Sequence, residues 1–522
     1  MPGIRFAVAG IALGSALLFH PTHATPPPLP TVPTVPTPVA PPAEFAAYIA
    51  QVRLADALQD GEARCNAHPD LPGNQWRPGA AQGRCSVLRA PAFTLDQLDA
   101  LLANDDGVAE LDRRFSALLD AHYRDQAQRE QIFKAFSVFD ESARAGEVAE
   151  RWLKAAPKSA FAMVALGIHH GSAGWVARGG KYASKTSQEQ FQSMTGHFAK
   201  AVPLYLQALE VEPRLSVACY KLNGIGRQSS DALQTFAMSH CLKVDPDSYN
   251  IAWEQIVSAQ PKWGGSDAKM RSAVAYAAAR TERNPILGAL LGEAAGYAPS
   301  MADTYGEVAD ELAGAARMGP SGSLMGDAGS GYWTRGDYWK SVVFYSQALR
   351  FWPHEARFRY ARAALMAGRL NDPAWARSDL KIALQHAPDN ARYLFLMGTV
   401  TQTLETPAAA RPFFERAMKD EWRQQAMEHY CQTYMMPTIT AEARDCTRRL
   451  VEEFPKSTVG WHMRAWALAD DDVDAALAAA QQFRTLADPK NPDQTRAFEH
   501  LKALETELQS KRPASAAGAA GK

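Results

Sequence analysis

Between Trp333 and Pro455 the apolar positions recur in one pattern three times. In the run Ser341-Val-Val-Phe-Tyr-Ser-Gln-Ala348-Leu-Arg-Phe-Trp-Pro353 a small residue, a large apolar residue, an alanine and a proline stand at fixed offsets. Ala376, Leu380, Ala383 and Pro388 repeat it, and so do Ala410, Phe414, Ala417 and Trp422. Intervals of 35, 34 and 33 residues separate Pro353, Pro388, Trp422 and Pro455. Around these anchors the apolar residues fall three and four apart, as in Phe198, Val202, Tyr205, Leu206 and Leu209 or Val342, Tyr345 and Leu349. That spacing gives each stretch one apolar helical face. A period near 34 then holds two helices and two turns, with proline stopping the second helix where its missing N–H costs nothing. Hairpin ends follow at Pro157, Pro213, Pro246, Pro285, Pro320, Pro353, Pro388, Trp422, Pro455 and about Pro489.

The period is that of tetratricopeptide repeats. Each hairpin has an apolar face that only the next hairpin can cover, so an array is expected. The fold class is all-α, an α-α superhelix built as a tetratricopeptide-like solenoid, preceded by an irregular disulfide-stapled segment. Leu95–Ala121 and Gln128–Phe139 read as further helices, the first opened by a capping box in Thr94-Leu-Asp-Gln97. The expected organisation is a signal peptide (1–24), a Pro-rich tether (25–43), a segment with a disulfide loop (44–92), a helical-repeat domain with loop insertions (93–318), tetratricopeptide-like repeats (319–508) and a disordered tail (509–522). The weakest joint is placed at Gly314–Gly336, where Gly-rich runs are expected to interrupt the helical pattern.

Arg5 precedes the apolar run Phe6–Phe19, which is too short to span a bilayer but suits a signal-peptide core. Thr22-His23-Ala24 places small residues ahead of a cut before Thr25, so a periplasmic or secreted protein is expected. The prolines from Pro26 to Pro42 dictate an extended spacer. The 6 cysteines form three sequence-local pairs, Cys65 with Cys85, Cys219 with Cys241 and Cys431 with Cys446. An exported chain would bond them. With each repeat's terminal proline numbered 32, two pairs fall at positions 5 and 27 and at 8 and 23. In an antiparallel hairpin such positions face each other. No Cys-x-x-Cys spacing offers a metal site.

The interval from Pro157 to Pro213 exceeds one repeat by about 22 residues. The excess is placed in a loop insertion running from His169-His170 through Trp175, Arg178, Gly179 and Gly180. A second irregular segment, Pro261-Lys-Trp263-Gly264-Gly265-Ser266, follows. With these two segments set among helical hairpins, residues from about Leu95 to Pro285 resemble the bacterial tetratricopeptide-like proteins of the domain of unknown function 4034. The resemblance implies the fold and a bacterial envelope setting, and it carries over no catalytic residue. Trp and Arg beside paired glycines suit a recognition surface; the same loop could instead fold back and plug the groove.

With Lys+Arg 55 against Asp+Glu 56 and no run of five like charges, the composition argues against a nucleic-acid partner. No His-Glu-x-x-His, Gly-x-Ser-x-Gly or nucleotide-binding loop occurs, so no catalytic residue, metal or cofactor is assigned. The concave face of such an array is lined by its first helices, which nominates Asn223, Arg392, Phe395, Gln402, Glu428, Gln432 and Met435 for an extended peptide or protein partner. The expected function is an exported interaction scaffold. The alternative is an envelope enzyme or carbohydrate-binding protein with its site at the Trp/Arg/Gly insertion.

Overall fold

The computed structural model describes residues 36–104, 106–180, 183–435 and 438–511. The expected signal peptide, most of the tether and nearly all of the tail lie outside them. Residues 36–42 adopt neither helix nor strand, and every regular element among the described residues is helical. No described helix is long and apolar enough to cross a membrane. The described residues divide into two compact units, one spanning Pro41–Pro353 and the other running from His354 onward together with residues 36–40.

The first unit opens with α1 (Ala43–Asp56), α2 (Gly61–Ala67) and α3 (Ala80–Ser86). Residues 68–79 between α2 and α3 are irregular, and the Cys65–Cys85 bond closes them, with Cα atoms 5.3 Å apart. Next come α4 (Leu95–Leu102), α5 (Gly107–Arg124), α6 (Gln131–Phe136) and α7 (Ala143–Ala155). The capping box forms as the sequence predicts: the Gln97 N–H donates to Thr94 Oγ1 at 3.2 Å and the Thr94 N–H to Gln97 Oε1 at 2.9 Å. Phe115 centres an aromatic core here, with ring centroids 5.1 Å from Phe93, 4.9 Å from Phe136 and 5.0 Å from Trp152.

Five hairpins complete the unit: α8 (Ala160–Arg178) with α9 (Gln188–Val211), α10 (Ser216–Ser229) with α11 (Asp231–Val244), α12 (Tyr249–Ser258) with α13 (Asp267–Ala278), α14 (Glu293–Ser300) with α15 (Ala309–Met318), and α16 (Gly322–Arg335) with α17 (Tyr338–Phe351). The N-terminal segment has little apolar core of its own and docks on α17 instead. Arg64 donates to the Leu349 carbonyl at 2.8 Å, Arg350 to the Cys65 carbonyl at 2.8 Å and the Asp70 carboxylate at 2.6 Å, and the Trp76 indole to the Ala316 carbonyl at 3.0 Å. Every residue from Ser341 to Phe351 is buried.

The second unit holds α18 (Ala356–Gly368) with α19 (Pro373–His386), α20 (Ala391–Leu404) with α21 (Pro407–Ala417), α22 (Arg423–Gln432) with α23 (Ala441–Glu453), α24 (Thr458–Leu468) with α25 (Val473–Leu486), and a closing α26 (Pro492–Lys511). All ten expected hairpin ends fall between α-helices, Pro285 and Trp422 within short 3-10 turns. The recurring residues are interior: Ser341, Tyr345 and Ala348 in the first unit, and Ala376, Leu380, Ala383, Ala410, Phe414 and Ala417 in the second, are all fully buried. Cys219–Cys241 and Cys431–Cys446 bridge the two helices of one hairpin each, at Cα separations of 5.6 and 5.4 Å, as the register requires.

Two expectations are corrected. The excess before Pro213 is no folded-back loop: it lengthens α8 to 19 and α9 to 24 residues, leaving 179–187 as the link. The Gly-rich run after Gly319 does not break the helical pattern either, because Gly322–Arg335 is continuous α-helix. There a Cβ on Gly329 would stand 2.9 Å from the Tyr345 ring, so its missing side chain permits close packing of α16 on α17.

Candidate functional site

In the first unit the first helices of successive hairpins touch, α8 on α10 and α10 on α12, so residues three and four apart along them share one face. At the C-terminal ends of α10 and α12 that face becomes a polar seam. Asn223 is fully buried and donates through Nδ2 to Glu254 Oε1 at 2.9 Å and Ser258 Oγ at 3.2 Å. One turn on, Arg227 closes an ion pair with Glu254, and its guanidinium lies 4.9 Å over the Trp263 ring. Trp263 reaches it from a short 3-10 turn, Pro261–Trp263, which Gly264 ends at φ 82°. Lys262 beside it donates its N–H to the Tyr297 hydroxyl of α14 at 3.4 Å. Buried Asn223 Oδ1 and Arg227 Nε have no partner among the described residues. A buried charge held by a carboxylate, an aromatic face and adjacent amides makes a site able to orient a ligand. Half-buried Tyr220, Trp253 and Tyr297 lie along the same helices.

The residues nominated for the first loop stand differently. Trp175 lies within α8, half-buried and edge-on to Phe198 of α9 with centroids 5.4 Å apart, so it holds the long hairpin together. Arg178 is the last residue of α8, Gly179 ends the helix at φ 73°, and exposed Gly180 begins the link. His169 Nδ1–H donates to the Asp140 carbonyl at 2.8 Å, and its ring is tilted at 54° to that of His170 with centroids 5.2 Å apart. Burial, with His169 and Lys200 adding to it, pushes His170 down to about 4, which keeps it neutral at pH 7. Trp175 packs on α9 and Trp263 lies against Arg227 of α10, so the two tryptophans serve different hairpins. Gly265 has no room for a side chain, since a Cβ there would collide with the Ala259 carbonyl.

Of the groove residues, Asn223 belongs to the seam. Phe395 is buried core, its ring 5.7 Å from Phe414 and 4.8 Å from His429, and is not available to a ligand. Arg392 covers the Tyr360 ring at 4.4 Å. Glu428 accepts from Ser457 Oγ at 2.7 Å and Gln424 Nε2 at 2.9 Å, while Gln402, Gln432 and Met435 are half-buried. Sequence reasoning missed Arg227 and Glu254. Arg227 stands one place beyond the nominated register position on the first helix, and Glu254 carries no signal until α10 and α12 meet.

One buried pair has the composition of catalytic machinery. His122 Nε2 lies 2.6 Å from Asp245 Oδ2, with both side chains fully buried. The Glu130 N–H donates to His122 Nδ1 at 3.0 Å, so Nδ1 is an acceptor and Nε2–H donates to Asp245. Both ring nitrogens are committed, and neither can take a substrate proton. The pair is a structural lock. Among the described residues no group of three or more His, Cys, Asp or Glu is placed to hold a metal ion.

No family model matches the chain. Solved structures with similar arrangements include the TPR protein YrrB, described as having an unusual peptide-binding site, at 18% identity over 37% of this chain and 99% of that one with a TM-score of 0.32. Yeast Tom70 matches at 12% identity over 76% of this chain and 97% of its own, TM-score 0.32. The APC/C hetero-tetramer Cut9-Hcn1 matches at 11% over 87% and 92%, TM-score 0.32.

Proposed function

We propose that this protein is an exported scaffold of the bacterial envelope, related to the domain of unknown function 4034 proteins, that holds a peptide or protein segment along the first-helix face of its first unit. The observation that carries this reading is the seam of Asn223, Arg227, Glu254 and Trp263. Its guanidinium and carboxylate neutralise each other, which favours an uncharged extended segment over a charged one. The half-buried aromatic residues beside it supply area at low entropic cost. The committed ring nitrogens of His122 weigh against an acid–base enzyme at the His122–Asp245 pair.

Two experiments test it. Peptides selected from a random library against the parent should lose roughly tenfold or more in affinity on Trp263→Ala or Arg227→Ala. Trp175→Ala, which removes a packing ring, should lower thermal stability and leave affinity unchanged. Equal binding by all three variants would take the seam out of the function, and failure to select any peptide would sink the scaffold reading. Export is checked by fractionation: the native-host protein should be found in the envelope with Thr25 as its first residue, and an intact Met1 in the cytoplasm would refute it.

A further inference from the structure

A cavity of about 320 Å³ opens where three connections of the first unit meet. Its polar lining comes from α3 and the turn after it (Gln82, Ser86, Arg89), the link between α5 and α6 (Gln126, Arg129, Glu130) and the chain before the 3-10 turn Pro285–Leu290 (Asn284). None of these residues belongs to the seam between α10 and α12.

Counting donors against acceptors fixes what the cavity can hold. Glu130 is its one lining carboxylate, and both oxygens are saturated. Oε1 accepts from the Tyr249 N–H at 2.7 Å and Asn284 Nδ2 at 3.4 Å; Oε2 accepts from Ser248 Oγ at 3.1 Å and Asn250 Nδ2 at 2.6 Å. Two carboxylate oxygens offer about four lone-pair sites, so nothing remains for a cation. These bonds also hold Glu130 at φ 70°, a left-handed conformation that a non-glycine residue keeps only when its surroundings fix it.

The donors are in surplus. A guanidinium carries about five N–H groups. Arg89 spends two on the Glu62 fork, at 2.7 and 2.6 Å, and one on the Ala127 carbonyl at 3.1 Å. Arg129 donates to Asp245 at 3.3 Å, and its Nε is buried with no partner among the described residues. Exposed Gln82 adds an amide at the rim. Glu62 and Asp245 fix the two guanidiniums before any ligand arrives, which lowers the ordering cost of binding.

We propose that this three-loop cavity is an oxyanion site that takes the phosphate or carboxylate group of a small molecule through Arg89 and Arg129. Planar guanidinium forks suit such groups, and the volume lies at the small end of ligand pockets.

Titration calorimetry on the full chain, with inorganic phosphate in one arm and succinate in the other at matched chloride ionic strength, tests it. The doubly substituted Gln82→Glu/Gln126→Glu chain places two carboxylates at exposed lining positions without touching the buried network, and circular dichroism confirms its fold. Saturable binding by the parent that weakens roughly tenfold or more in this variant is the expected result. Tighter phosphate identifies a phosphorylated ligand, and tighter succinate a carboxylic acid. No saturable binding of either anion would overturn the proposal, as would equal affinity in parent and variant.

Discussion

Glu293 shows what burial does to one residue. It is 8% exposed at the start of α14, and burial pushes its carboxyl up to about 7, with Ser321 and Arg84 pulling it down and Asp327 pushing it further. The folded pKa lies above the unfolded value, so folding takes up a proton between about pH 4.5 and 7. Its contribution is fully present at the acid end of that window and is lost as pH rises through 7. Glu293→Gln should therefore remove the decline and leave the protein more stable than the parent at pH 8, by an order of 2–3 kcal/mol. Urea unfolding at pH 5 and pH 8 checks this; an unchanged pH slope would show that burial does not raise this carboxyl above its unfolded value. Nothing in the sequence around Glu293 gives this shift, which arises when α13, α15 and α16 pack on α14 and bury the carboxyl.

At the scale of the element, glycine has two meanings that sequence alone does not separate. Gly329 in α16 faces the fully buried Tyr345 ring, whereas nothing lies within 4 Å of a Cβ built on exposed Gly314 in α15. Gly314→Ala should gain about 0.5–1 kcal/mol from helix propensity. Gly329→Ala should lose about 1–3 kcal/mol, because overpacking outweighs the same gain. Paired thermal denaturation of the two variants decides it, and equal shifts would refute the packing account. The same distinction explains why the Gly-rich run reads as a break and folds as helix: contacts with α17 override local propensity. The capping box at Thr94, the proline stops and the two intra-hairpin disulfides were legible because each depends on residues within one hairpin.

At the scale of the molecule, the N-terminal segment is held by the array. Arg64, Gln347 and Arg350 tie residues 48–70 to α17, and the Arg350 guanidinium is 2% exposed with three main-chain or carboxylate partners. Arg350→Met should cost about 2–4 kcal/mol by leaving buried acceptors unpaired. A chain beginning at residue 93 should melt at a markedly lower temperature, since α17 would lose the cover on one side. Melting at the parent temperature would show that the segment is an ornament. Periodicity alone determined the helical class, the hairpin ends and the two intra-hairpin cysteine pairings, because each hairpin is a local unit whose repeat is written in its own residues. Contacts between separate elements decided the rest: the docking of 43–89 on α15 and α17, the meeting of Arg227 with Glu254 and Trp263, and the cavity between Arg89 and Arg129. Such sites are made when separate elements pack, and no spacing along the chain records which elements those will be.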